Sequence, residues 1–303
     1  MLQHTLGKSY TFEGKGLHTG RPSKMTVSPA PENFGIRFRR TDLGPDAWID
    51  ALADRVDSTA RSTRIACAEA SVNTVEHIMA ALTGMGIDNA QIDIDNVEVP
   101  ILDGSARLYA EAFAADGLVA QAAERKYVTV RQTVEVHDEK TGSWVRIEPA
   151  DHASYEATVD FGSRVLGVQS ARWDETLSFA DQLAACRTFV FFHEIEYLFA
   201  NNLIKGGDVD NAIVIVEHPV SEEQLDRMSA SMGLPRLSVV GNGYLDNLAL
   251  HFDNECGRHK LLDLVGDLRL TGGFLRAKVT AFKPGHTINN LAARAVLAQL
   301  REA

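Results

Sequence analysis

The chain is poor in cysteine: three residues in 303, Cys67, Cys186 and Cys256, with no C-x-x-C pair among them. An odd count without a framework excludes a disulfide scaffold and points to reduced thiols in the cytoplasm. Basic charge is also in short supply. Thirty Lys and Arg stand against 41 Asp and Glu, a formal net charge of −11, whereas a nucleic-acid binder carries a basic face. No apolar run approaches the roughly 20 residues that span a bilayer. Residues 1–10 are polar and lack the apolar core of a secretory signal. The expectations are a cytoplasmic protein without stable membrane insertion or nucleic-acid partner. Hydrophobic residues at 45% and charged residues at 23% are ordinary globular values and exclude disorder. The length suits two domains.

Residues 8–40 alternate in polarity and contain Gly14, Gly16 and Gly20, which predicts short strands joined by turns. A helix is predicted over 74–84, a strand over 90–97, a loop at Pro100-Ile101-Leu102-Asp103-Gly104, and a helix over 106–115. The second half repeats this order: strands within 127–161, a helix over 256–271, a strand over 275–282, a loop at Lys283-Pro284-Gly285-His286, and a helix over 288–301. His77 and Gly104 are 27 positions apart (104 − 77), as are His259 and His286 (286 − 259). This repetition predicts an internal duplication of fold class α+β. The first domain would cover 1–124, and the second 125–303 with an insertion over about 190–250.

Chemistry concentrates in two of these helices. In Arg258-His259-Lys260-Leu261-Leu262-Asp263-Leu264-Val265-Gly266-Asp267-Leu268, the leucines and Val265 share one face, and His259, Lys260, Asp263 and Asp267 share the other. His259 and Asp263 are four apart and therefore neighbours on the helix surface. That spacing serves two ligands to one metal ion; the ordinary reading of the helix by itself is a solvated polar face with a local ion pair. In Asn73-Thr74-Val75-Glu76-His77-Ile78-Met79-Ala80-Ala81-Leu82, the residues Val75, Ile78, Met79 and Leu82 form an apolar stripe, and Glu76 and His77 lie off it. A carboxylate beside an imidazole offers a general base next to a ligand, or an ordinary surface pair. If the duplicated helices face each other, His77 approaches His259 and Asp263, giving three protein ligands with a fourth position open. His286 follows a Pro-Gly turn, and Asp267 could orient it and favour its protonated form. The cluster of Phe189, Phe191, Phe192 and Phe199 reads as core packing, with a lipid-facing surface as the alternative.

Taken together, several stretches resemble one family: Gly16-Leu17-His18-Thr19-Gly20, Thr74-Val75-Glu76-His77, Gly86-Ile87-Asp88-Asn89, Glu98-Val99-Pro100-Ile101-Leu102-Asp103-Gly104-Ser105, Arg187-Thr188-Phe189, Asp210-Asn211-Ala212, the segment from Arg258 to Asp267, and Gly285-His286-Thr287-Ile288-Asn289-Asn290. They are similar to the zinc-dependent UDP-3-O-acyl-N-acetylglucosamine deacetylases of lipid A biosynthesis. The resemblance runs from about Thr5 to Leu300. It implies two similar α+β domains forming a sheet–helix–helix–sheet sandwich, with an insertion in each domain. It further implies one Zn2+ per chain on His77, His259 and Asp263, a donor set that accepts Fe2+ too. By the same resemblance, Glu76 is the general base, His286 the cation that stabilises the oxyanion and protonates the leaving amine, Asp267 its support, and Thr188 the hydroxyl that polarises the carbonyl. Lys260, Phe189, Phe191 and Ser62 match substrate-binding positions, and residues 195–216 match the segment that forms the acyl passage. The implied partners are UDP-3-O-acyl-N-acetylglucosamine and water.

The sequence departs from the family at Phe161-Gly162-Ser163-Arg164, where many members carry Phe-x-His-Pro. Residues 214–254 are longer and resemble the variant fused to a hydroxyacyl-carrier-protein dehydratase, which adds a dehydratase domain or partner to the expectations. Rival readings are a hydrolase for another acylated sugar nucleotide, a non-catalytic sugar-nucleotide or lipid-binding protein, and a structural metalloprotein with Cys256 as its weak fourth ligand.

Overall fold

The computed structural model describes residues 1–195, 206–207, 210–232 and 236–301. Its first half contains β1 (Leu2–Leu6), β2 (Tyr10–Lys15), β3 (Pro22–Pro29), β4 (Ile36–Arg40), β5 (Trp48–Asp50), β6 (Val56–Ser58), β7 (Arg64–Cys67), β8 (Ala70–Val72), α1 (Glu76–Gly84), β9 (Ala90–Ile94), α2 (Arg107–Asp116) and β10 (Leu118–Glu124). The second half contains β11 (Tyr127–Thr129), β12 (Val134–Asp138), β13 (Ser143–Pro149), β14 (Ser154–Asp160), β15 (Val168–Asp174), β16 (Phe189–Phe191), β17 (Ile213–Ile215), α3 (Glu222–Met232), α4 (Glu255–Arg269), β18 (Phe274–Phe282) and α5 (His286–Arg301).

The strands follow the period-two patterning of half-buried sheets. In β3, Ser23, Met25 and Val27 face inward; in β18, Leu275, Ala277, Val279 and Ala281 do so while Arg276 and Lys278 face water. The two large sheets share one topology. The first runs β2-β3-β9-β4-β5, and the second runs β12-β13-β18-β14-β15 with β11 added beside β18. In each, the third strand is antiparallel to the second and parallel to the fourth. A small sheet, β6-β7-β8, interrupts the first half, and β16-β17 forms a parallel pair within the second.

The fold is α+β, with helices sandwiched between the two large sheets. Helix α2 lies on the first sheet through Tyr10, Phe12, Tyr109 and Phe113, whose rings meet edge to face. Helix α4 packs on β14 and β15, α5 on β12 and β13, and α1 packs against α4. Where α1 and α4 meet, a β-carbon at Gly266 would overlap the backbone carbonyl of Glu76. Only glycine permits this approach, because it places the two backbones in contact.

Two expectations change. The last helix starts at His286 and not at 288, because the Pro284-Gly285 turn leads straight into it. His286 is therefore a buried residue of a first helical turn, 8% exposed, and no loop histidine. The polar face expected on the 256–271 helix is not solvated either: His259, Asp263 and Asp267 are each at most 2% exposed. Among the aromatic cluster, Phe192 is buried with Val190, Val214 and Val216, Phe189 and Phe191 are half-buried, and Phe199 lies outside the described residues.

Candidate metal centre and active site

Helices α1 and α4 bring His77 and His259 face to edge, with ring centroids 5.1 Å apart. Asp263, one turn beyond His259, places Oδ1 3.6 Å from His77 Nε2 and 3.5 Å from His259 Nε2. The three ligand atoms lie within 4.8 Å of one another. His259 Nδ1 is 3.1 Å from the Cys186 carbonyl oxygen, which makes Nδ1 the protonated nitrogen and turns the Nε2 lone pair toward Asp263. Asp263 Oδ1 is fully buried and accepts no hydrogen bond among the described residues. Buried acceptors that converge without a donor carry a desolvation cost that a cation would relieve. Two imidazoles and a carboxylate fit zinc or ferrous iron.

The electrostatics agree with that fit. Burial pushes His77 down to about 3, and the neighbouring His259 adds to this against the opposing pull of Asp263. Burial likewise lowers His259. Neutral imidazoles are the form a metal needs. Burial works to raise Asp263, but His259 and Lys260 lead the charges that outweigh it and hold the carboxyl well below its usual range. Lys260 Nζ donates to Asp263 Oδ2 at 2.7 Å, leaving Oδ1 for the common point.

A second group adjoins the first. Glu76 Oε1 lies 3.8 Å from His286 Nε2, and Glu76 Oε2 accepts the Thr63 amide at 3.1 Å. His286 Nδ1 donates to Asp267 Oδ2 at 3.0 Å. Asp267 is held in turn by Asn289 Nδ2 at 2.8 Å and Thr63 Oγ1 at 2.6 Å. Burial pushes Glu76 up to about 8; His286 opposes this, and Asp263 and Asp267 add to it. A divalent ion on the adjacent triad would favour its ionised form. Burial would lower His286, but the carboxylates facing it from α4 and α1, Asp267 and Glu76 first and then Asp263, outweigh burial and push it up to about 9.

One small cavity is lined by Glu76, His77, His259, Asp263 and His286 together with Thr188 and Lys260. Asp267 stands behind His286. Phe189 flanks the cavity, its ring centroid 6.2 Å from that of His259 and 5.7 Å from Lys260 Nζ. Phe191 instead lines a larger neighbouring cavity with Phe161, Arg164, His193 and His218. Ser62 is buried and lines neither cavity. Cys256 is buried among Leu166, Ile213, Ile215 and Tyr244, apart from the triad. The cavity wall also contains Leu17, His18, Arg61 and Thr74, and Thr63 and Asn289 brace Asp267; no local pattern assigns these six a role. Leu17, His18, Thr74 and Asn289 do fall inside family-like stretches, the one signal the sequence carries for them.

A family model described as UDP-3-O-acyl N-acetylglycosamine deacetylase matches residues 3–231 and 236–298. The chain belongs to this deacetylase family. Among curated relatives, the bifunctional enzyme LpxC/FabZ of Porphyromonas gingivalis is 43% identical over 300 residues, covering 99% of this chain and 65% of the relative. Its counterpart in Bacteroides thetaiotaomicron is 42% identical over 301 residues, again covering 65% of the relative. The UDP-3-O-acyl-N-acetylglucosamine deacetylase of Thioalkalivibrio sulfidiphilus is 36% identical over 300 residues and is covered to 90%. The chain thus spans just under two thirds of the bifunctional members of the family and most of the single-function ones. No helix among the described residues is long and apolar enough to cross a membrane.

Proposed function

We propose that the protein hydrolyses the N-acetyl group of UDP-3-O-acyl-N-acetylglucosamine, giving UDP-3-O-acyl-glucosamine and acetate, an early step of lipid A biosynthesis. The observation that carries this reading is the shared cavity: the His77, His259 and Asp263 triad faces the Glu76–His286 pair in a chain of this family. We assign one zinc ion per chain to the triad. Bound there, zinc supplies Lewis acidity toward a carbonyl oxygen and makes water more acidic. Glu76 takes the proton from the attacking water as general base. His286, protonated through Asp267, stabilises charge developing on the carbonyl oxygen and delivers a proton to the leaving nitrogen. Thr188 adds a hydroxyl donor, and Lys260 and Phe189 bind substrate at the cavity edge. Phe191 binds it in the adjoining cavity. The segment 195–216, only partly within the described residues, is assigned to the acyl chain. We also propose the division into domains 1–124 and 125–303, a cytoplasmic location, and a dehydratase as domain or partner.

Acetate release from UDP-3-O-acyl-N-acetylglucosamine tests the reading. Activity should disappear on chelation and return with one equivalent of zinc. Full zinc occupancy without acetate release would overturn the substrate assignment.

The His286 assignment makes a separate prediction. Its protonated form is the active one, so activity should fall as pH rises through the His286 pKa. Asp267→Asn removes the largest charge that holds that pKa up. The basic limb of the kcat/KM profile should then move by about one pH unit or more toward acid. An unmoved limb would show that another group controls it.

A further inference from the structure

We infer that Glu98 is a positioning residue that sets the part of the cavity wall formed by Leu17, His18 and Thr74; the kinetic part of this inference rests on the function proposed above. Glu98 follows β9 and is 1% exposed. Its carboxylate accepts four hydrogen bonds: the His18 amide at 2.9 Å, the Thr19 amide at 2.8 Å, Thr19 Oγ1 at 2.7 Å, and Thr74 Oγ1 at 3.0 Å. Among the described residues it has no ion-pair partner. Burying an unpaired carboxylate is expensive, and merely closing a turn does not call for one. What the charge provides is stiffness, because bonds to an ionised acceptor are shorter and roughly twice as strong as neutral ones.

The carboxylate ties two parts of the site together: Oε2 takes both Thr19 bonds, and Oε1 takes the His18 amide and Thr74 Oγ1 at once. Leu17 and His18 of the Gly16–Gly20 turn face the cavity. Thr74 lies two residues before Glu76. Thr74 has φ = 61°, a left-handed conformation that a β-branched residue keeps only when its surroundings impose it. Glu98 lies flush against the turn, since a β-carbon on Gly16 would overlap its carboxylate. The same turn accepts the Gly206 amide on the Leu17 carbonyl at 3.0 Å, so its position passes on to the 190–250 insertion. None of the groups that Glu98 holds is a proposed ligand, base or acid. Its effect is therefore on where substrate sits.

The test compares Glu98→Gln with Thr19→Val in the zinc-loaded protein. The glutamine variant turns an NH2 group toward two of the four donors and leaves the other two only a neutral acceptor. The valine variant keeps Glu98 and removes only the Thr19 hydroxyl, with its bond to Glu98 and the long one it accepts from the exposed Arg21 amide at 3.3 Å, so it serves even if Glu98→Gln folds poorly. Glu98→Gln should raise KM by about 10-fold and Thr19→Val by about 3-fold, the scale of losing charge-assisted hydrogen bonds, with zinc stoichiometry unchanged and kcat changed less than KM. Independently of any substrate, the His18 and Thr19 amides in Glu98→Gln should exchange with deuterium at least about 10-fold faster, while the α1 amides at Ala80–Leu82 keep their protection. Fast exchange in a protein that turns over no deacetylase substrate would sink the function and keep the positioning role. Unchanged exchange at His18 and Thr19, uniform loss of protection that includes α1, or a fall in kcat accompanied by zinc loss would each overturn the positioning role.

Discussion

Glu76→Gln is expected to lower turnover by about 10²- to 10⁴-fold while leaving the bound zinc in place. The substitution keeps the side chain's shape, and its amide oxygen can still accept the Thr63 amide that Glu76 now accepts. What it removes is the ability to take a proton. Glu76 is the first residue of α1 and His77 the second, so one backbone fixes the proposed base and the proposed ligand together, with the two side chains directed to different partners: His77 to Asp263, Glu76 to Thr63 and His286. The alternative base, His286, is pushed up to about 9 by the carboxylates around it and so arrives protonated near neutrality, as an acid. Single-turnover acetate release and metal analysis on the same sample decide the matter. Turnover within about twofold of the unaltered protein, at full zinc content, would move the base elsewhere.

His259→Ala should abolish both metal and activity. The loss removes a proposed ligand whose direction is set by the Cys186 carbonyl, and leaves one imidazole beside a carboxylate that Lys260 already neutralises in part. Two ligands from separate helices hold zinc poorly. Zinc retained after desalting should drop from about one equivalent to about a tenth or less. If the variant retained a full equivalent, the triad would not be the metal site, whatever happened to turnover.

The elements that carry these groups were readable because their signals are local. The α1 stripe of Val75, Ile78, Met79 and Leu82 and the leucine face of α4 repeat at helical spacing, and their ends fall within a residue or two of the predicted ones. Burial of the opposite face of α4 was not readable. Periodicity reports which side is polar; whether that side meets water or another helix depends on residues far along the chain. His286 shows the same limit, since a Pro-Gly pair marks a turn without fixing which residue starts the helix. Thr63 had no signature at all. A threonine just ahead of a four-residue strand is unremarkable until it is found 204 positions from Asp267 and bonded to it. Glu98 stands inside a family-like stretch, yet its partners at 18, 19 and 74 lie 80, 79 and 24 positions away in sequence.

The glycine at position 266 has one more consequence. Because nothing but a hydrogen atom separates α4 from the backbone of α1 at that point, the distance between His77 on one helix and Asp263 on the other is fixed by the depth of the crossing. The two proposed ligands are 186 positions apart in the chain (263 − 77), so an ion held between them would act as a crosslink between distant segments. With the proposed ion bound, its affinity and the cohesion of the two helices would be thermodynamically linked, each reinforcing the other. A substitution that wedges the helices apart, even one remote from the cavity, would be felt first as a weaker grip on the metal.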